Sequence, residues 1–320
     1  MSPELLDFEQ QLDRFIERGM LTEDVFRNKN VKKLETIGYY RLKEFAKPFA
    51  TKKKLSSGEV HLEYNGVKFN DVVVRYYLDK NLRINMLHAI EKIEVSIKTH
   101  LAYILGDRYG AFGYLSFSKW ANKLRYSKYD LLEKEYYFKK NLRKSISKTT
   151  LDDAKYKKNQ DNEGFPSVWI GINILMFGEL VNLIELLPKD DLNKLSDKYD
   201  CRRDELVSWL KTLNFIRNVC AHNSNVIDIK LTTRPRYRRG WSIYLFQIEI
   251  EKDNKYIFTN RVAVVLLIIK HFLTRINPKY GWKDIHHSLE SLSGKNDQNS
   301  YRLGFKDYKS LKEFTRVKVL

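Results

Sequence analysis

LVSWLKTLNFIRNVCAHN, residues 206–223, is the stretch around which the chain is organised. Its apolar residues recur at helical spacing: at about 100° per residue, Leu206, Leu210, Leu213 and Cys220 fall within one stripe. Arg217 lands in the same stripe, about 20° from Leu206 on a helical wheel. A guanidinium thus stands where the pattern asks for a leucine, and burying it unpaired would cost several kcal/mol. Asn214, Asn218 and His222 follow at i, i+4 and i+8 along one edge of the stripe, with Asn223 closing the stretch. Two readings compete. In one, Arg217 snorkels from the end of a core helix and His222 caps that end against the helix dipole. In the other, arginine, asparagine and histidine are a compact set of the groups that phosphodiester cleavage needs.

The rest of the chain is suited to bring RNA to such a set. Its 320 residues carry a formal charge of +18 with a pI near 9.6, which points to a polyanionic partner. With 20 Tyr and 17 Phe, rings are available to stack on unpaired bases, although most belong in a core. A hydrophobic content of 43% is that of a folded globular protein. Cys201 and Cys220 have no spacing that suggests zinc or a disulfide framework, so a reducing cytoplasm is the expected setting. The start, MSPELLDFEQ, is acidic and amphipathic, unlike a signal peptide, and the apolar run at 262–269 is too short to span a bilayer. No metal site, cofactor or membrane role is expected.

Helical periodicity dominates, so the expected fold is mainly α. Residues 1–66 form an N-terminal helical module: a helix capped at Ser2 and Pro3 and ended by Gly19, a second from Thr22 to about Thr36, a third from Gly38 to Pro48, then a loop or short hairpin. Residues 67–277 form the helical core. Its first helix, about 72–107, places Met86, Ile90, Ile93, Ile97, Leu101 and Ile104 on one face with Glu94 at the edge. Glu94 is the expected partner of Arg217. The same helix contains Arg83 and His88, which repeat the spacing of Arg217 and His222; with no asparagine after the arginine, and with His88 about 140° round from it on the side away from the apolar stripe, a surface histidine is expected there.

Residues 119–165 read as a basic insertion. From 119 to 158 there are thirteen Lys or Arg against five acids, with Tyr126, Tyr129, Tyr136, Tyr137, Phe138 and Tyr156 between them, an electrostatic footprint suited to a phosphate backbone. Lys139, Lys140, Arg143 and Lys144 are the expected contacts. A helix opened by Pro166 and closed by Pro188, and a short one at 189–200, lead into the central stretch. Beyond it, RPRYRRG at 234–240 offers Arg234, Arg236, Arg238 and Arg239 as further phosphate contacts inside a β-prone segment, 226–258. An apolar helix at 261–276 belongs beneath the central one; residues 278–320 are a helical or tail segment whose polar, basic end after Gly294 is free to be mobile.

RNVCAH, residues 217–222, resembles the signature of HEPN-domain ribonucleases, an arginine and a histidine with four to six residues between them. The fuller resemblance is to the abortive-infection proteins of the AbiD/AbiF type, the Abi-like family. It includes IGYYRLKEFAKPF (37–49), AIEKIEVSIKTHLAYILGDRYG (89–110) and FPSVWIGINILMFGELVNLIELLP (165–188), in the family's order, and covers most of residues 20–225. The resemblance implies a HEPN-like helical bundle and an endoribonuclease acting in anti-phage defence as a toxin. RNA supplies its own nucleophile, the 2′-hydroxyl; His222 moves a proton, Arg217 holds the phosphate oxygens, and Asn218, supported by Asn214 and Asn223, orients them. The expected products are a 2′,3′-cyclic phosphate and a 5′-hydroxyl, without a metal. Two protons move and the motif supplies one histidine, so a homodimer with a composite site is expected, as the resemblance also implies. A structured small RNA is the expected silencing partner. The alternative is a non-catalytic RNA-binding protein with a structural motif; a metal-dependent nuclease is disfavoured because no carboxylates stand at ligand spacing.

Overall fold

The computed structural model describes residues 5–54, 60–250 and 255–316. Three short helices come first. α1 (Phe8–Glu17) starts at Asp7, whose carboxylate accepts from the Gln10 amide at 2.8 Å; the expected start at Ser2 and Pro3 lies outside the described residues. α2 (Arg27–Ile37) ends at Gly38, whose φ of 89° turns the chain directly into α3 (Tyr39–Ala46). The hairpin expected next is formed by β1 (Thr51–Lys54) and β2 (Val60–Glu63), antiparallel with Thr51 opposite Glu63.

α4 (Phe69–Tyr109) is the spine, 41 residues without a proline. Its buried residues do not keep to one stripe, because different elements cover it at different heights: α3, α10, α11, α12 and α7 all pack against it. α5 (Phe117–Trp120) and α6 (Lys128–Lys148) form the basic insertion, α6 being capped by Ser127 and Asp130. The single helix expected between the two prolines is divided. α7 (Val168–Gly171) stops, and α8 (Phe177–Glu185) begins afresh where Glu179 accepts from the Met176 amide at 3.3 Å. The break lets α7 press against α4 at Gly106, where a Cβ would stand 3.0 Å from the Trp169 ring.

α9 (Lys189–Asp197) leads into α10 (Arg203–Ala221), which carries the motif. The β-prone segment supplies β3 (Gln247–Ile250) and β4 (Lys255–Phe258), paired antiparallel. α11 (Val262–Ile276) is buried from Val262 to Leu273 and packs on both α4 and α10. α12 (Lys283–Ser293), α13 (Asp297–Leu303) and α14 (Tyr308–Arg316) follow. Up to residue 316 the tail is therefore structured, contrary to its composition: Leu303, Phe305, Leu311 and Phe314 are buried. Lys270 of α11, 2% exposed, donates to the Phe314 carbonyl and lies over that ring, which pins α14; burial lowers its pKa to about 8. The fold is mainly α, as expected. Among the described residues no helix is long and apolar enough to cross a membrane.

Candidate functional site at the end of α10

α10 buries Leu206, Trp209, Leu210, Leu213, Ile216 and Cys220, but not Arg217. The wheel placed Arg217 in the stripe because it assumed one fixed buried direction. In the structure the buried direction drifts by roughly 40° from Leu206, Trp209 and Leu210 to Leu213, Ile216 and Cys220, on a helix against which α4, α8, α9 and α11 all pack. Arg217, Asn218, Ala221 and His222 consequently form an exposed face, with Asn218 between the arginine and the histidine. The expected Glu94–Arg217 pair is corrected: Glu94 is bonded to Lys98 one turn along α4 at 2.8 Å, and Lys98 also donates to the Asn173 carbonyl at 3.2 Å. Among the described residues Arg217 has no carboxylate within ion-pair distance, so its charge is available to a ligand. Asn214 is half-buried against α8, where a Cβ on Gly178 would stand 3.4 Å from its Nδ2. Asn214, Asn218 and His222 thus share an edge of the helix, but only the last two are open to solvent.

Helix ends usually fray; this one is fixed. The amides of His222, Asn223 and Ser224 donate to the carbonyls of Asn218, Cys220 and Val219, and Asn223 takes a left-handed φ of 57°. The Asn223 Oδ1 accepts from Arg83 Nη1 at 2.9 Å, and its main-chain oxygen accepts from Arg41 of α3. Arg83 is 3% exposed and bonds Asp79, which is fully buried, through Nε at 2.6 Å. The other Asp79 oxygen accepts from the amides of Val226 and Ile227 at 2.9 and 3.1 Å. Burial pushes the Asp79 carboxyl above the usual carboxylate range, while Arg83 and the two amides pull the other way. Beyond it, Asp228 is bonded by Arg75 and by Asn225. His222 therefore stands on a turn wired to the spine helix. Asn223, expected as a supporting residue, receives the two arginines; Asp79, Arg83 and Arg41 went unassigned. Their signal was legible in part, since Asp79 and Arg83 stand i, i+4 at apolar positions of the α4 pattern.

The remaining chemistry near the motif is inert. Burial pushes the thiols of Cys201 and Cys220 up to about 12, which leaves them protonated at neutral pH. Among the described residues no group of three or more His, Cys, Asp and Glu side chains converges.

The arginines of the basic turn divide. Arg238 is committed to the protein: it bonds Glu205 at 3.2 Å, donates to the Asp200 carbonyl and stacks on Trp209, 5.4 Å from the ring centroid. Arg236 bonds Asp204 at 3.4 Å, and its main-chain oxygen accepts from Trp209 Nε1. Arg234 and Arg239 are exposed. The turn thus straps the start of α10, the end opposite His222. In the insertion, Lys139 bonds Glu135 at 3.2 Å, and Arg143 lies 4.7 Å from the Phe165 ring centroid; Lys140 and Lys144 are exposed on α6.

A model of the Abi-like protein family matches residues 32–228, and the chain belongs to that family. The matched span runs from α2 to the turn after His222 and includes Arg41, Asp79, Arg83, Arg217 and Asn223. No curated protein and no solved structure matches the chain at a significant level.

Proposed function

We propose that this Abi-like chain is a metal-independent endoribonuclease of the HEPN type, acting in the cytoplasm as an abortive-infection toxin. The observation that carries the reading is the contrast at the end of α10: Arg217, Asn218 and His222 are exposed and Arg217 is unpaired among the described residues, while the turn that follows is tied to α4 through Arg83 and the buried Asp79. A site must be open to its substrate and stationary at once, and these residues meet both demands.

In the proposed reaction the ribose 2′-oxygen attacks the adjacent phosphorus and the bond to the 5′-oxygen breaks. The 2′-proton passes to a neutral imidazole, and a protonated imidazole gives its proton to the leaving oxygen. Arg217 neutralises the non-bridging oxygens as charge builds on the phosphorane. Asn218, one turn before His222, orients the imidazole or the phosphate.

Arg217 and His222 are about 140° apart round α10 and rise about 7.5 Å along it, which spreads them across the open face rather than aiming both at one atom. Two copies meeting about a two-fold axis would set one chain's arginine beside the other's histidine and supply both proton carriers. Phe215, 49% exposed on the same face, and Met176, 62% exposed just before the helix that abuts Asn214, are apolar surface suited to such an interface. The charge of +18 fits RNA as substrate, and a structured small RNA on Lys140, Lys144, Arg234 and Arg239 as silencing partner.

The test is a labelled single-stranded RNA pool in excess EDTA, beside an oligonucleotide with one 2′-deoxy linkage. Cyclic-phosphate ends from RNA, none at the deoxy linkage and none from Arg217→Ala support the reading. Uncut RNA, after any bound nucleic acid has been stripped away, favours the non-catalytic RNA-binding protein instead.

A further inference from the structure

Two arginines from different helices reach Asn223, and they are not equivalent. Arg83 is enclosed, and its charge is met by Asp79 at 2.6 Å. Arg41 is half-buried and donates one N–H to the Asn223 main-chain oxygen. A guanidinium has five donors. Among the described residues no other acceptor and no carboxylate meets those of Arg41, so a full positive charge is left over one residue from His222.

Helix closure does not require it. The turn after α10 is already completed by three main-chain bonds and by Arg83 on the Asn223 side chain. The geometry that presents Arg41 is nevertheless specific. Gly38, at φ 89°, starts α3 directly from α2; Leu42 and Phe45 of α3 are fully buried, and α3 packs on α4, leaving Arg41 directed at the end of α10.

We infer that Arg41 forms a second phosphate subsite beside His222, taking the RNA phosphate next to the scissile one. The hydrogen bond to the Asn223 carbonyl orients the guanidinium, and its free N–H groups face a phosphate in the bidentate manner open to arginine. The N-terminal module thereby becomes part of the substrate site instead of a support for it. This subsite rests on the ribonuclease reading for its position relative to the scissile bond, but its binding of phosphate does not require cleavage.

The test uses full-length protein carrying His222→Ala, so that nothing is cut, and measures by fluorescence anisotropy the affinity for a labelled single-stranded RNA across a salt series. Arg41→Ala is expected to flatten the log–log salt dependence by about 0.7 and to weaken binding about fivefold at 0.1 M salt relative to the difference at 1 M. Arg41→Lys, which keeps the charge, is expected to restore the slope. Hydrogen exchange of residues 219–224 is read on the same proteins, because a residue that merely closes the helix would loosen that turn without moving the slope. The inference is overturned if Arg41→Ala binds RNA with unchanged affinity and slope, if its loss follows only from an opened turn that lysine does not rescue, or if the protein binds no RNA. Wild type that binds through Arg41 yet cuts nothing would sink the ribonuclease reading and leave this subsite standing.

Discussion

Arg83 with His88 on α4 and Arg217 with His222 on α10 share the same spacing and the same angle, and the protein uses them in opposite ways. Arg83 is turned inward, paired with Asp79 and bonded to Asn223; His88 sits on the outside, 3.3 Å from the Tyr280 hydroxyl and stacked on that ring. Arg217 is turned outward with no carboxylate beside it among the described residues, and His222 is exposed on the turn that Arg83 helps to hold. The first arginine is structural and the second is free for a ligand. An arginine five residues before a histidine therefore says little by itself; what the guanidinium already bonds decides what it can do.

Substitutions at the four positions can break that contrast. On the α10 side, Arg217→Ala and His222→Ala are expected to lower RNA cleavage by about 10²- to 10⁴-fold, the scale of losing an acid–base or charge-stabilising group. Their urea midpoints should barely move, since exposed positions shift stability by within about 0.5 kcal/mol. A large fall in midpoint would show that the motif is structural. On the α4 side the outcome reverses. Arg83→Ala leaves the Asp79 carboxylate buried without its cation and is expected to cost about 3–5 kcal/mol in urea unfolding. An unchanged midpoint would mean that the pair is not shielded from water.

A third histidine sharpens the comparison. His271 of α11 is 1% exposed, bonds the Tyr199 carbonyl at 2.8 Å, and is lowered from 6.5 to about 4, chiefly by burial. Above pH 6.5 it is neutral in both the folded and unfolded chains. As pH falls from 6.5 towards 4 only the unfolded chain takes up the proton, so stability declines across that window, by up to about 3 kcal/mol. His271→Gln should flatten the profile between those values; a slope unchanged by the substitution would contradict the assignment. Smallest of all, His88→Ala should leave stability within about 0.5 kcal/mol.

Much of this was legible in the sequence. Apolar periodicity located α4, α10 and α11, and the surface placement of His88 followed from its angle to the apolar stripe. The error at Arg217 came from treating the buried face of α10 as straight, when its buried residues shift round the helix between Leu206 and Cys220. Glu94 was assigned a distant arginine although Lys98, one turn away, was the nearer cation. The order of the tail was hidden because α13 and α14 each bury only a few side chains among polar ones, which composition averages away. Arg41 and Arg83 could not be joined to Asn223 from sequence, because they lie 182 and 140 residues from their partner.

The most direct measurement sets wild type, His222→Ala and His88→Ala side by side on one labelled RNA in excess EDTA and scores 2′,3′-cyclic phosphate ends. Equal cutting by wild type and His88→Ala, with none by His222→Ala, is the predicted result. Cleavage that survives the loss of His222, or that disappears with His88, would contradict the assignment of the site to α10.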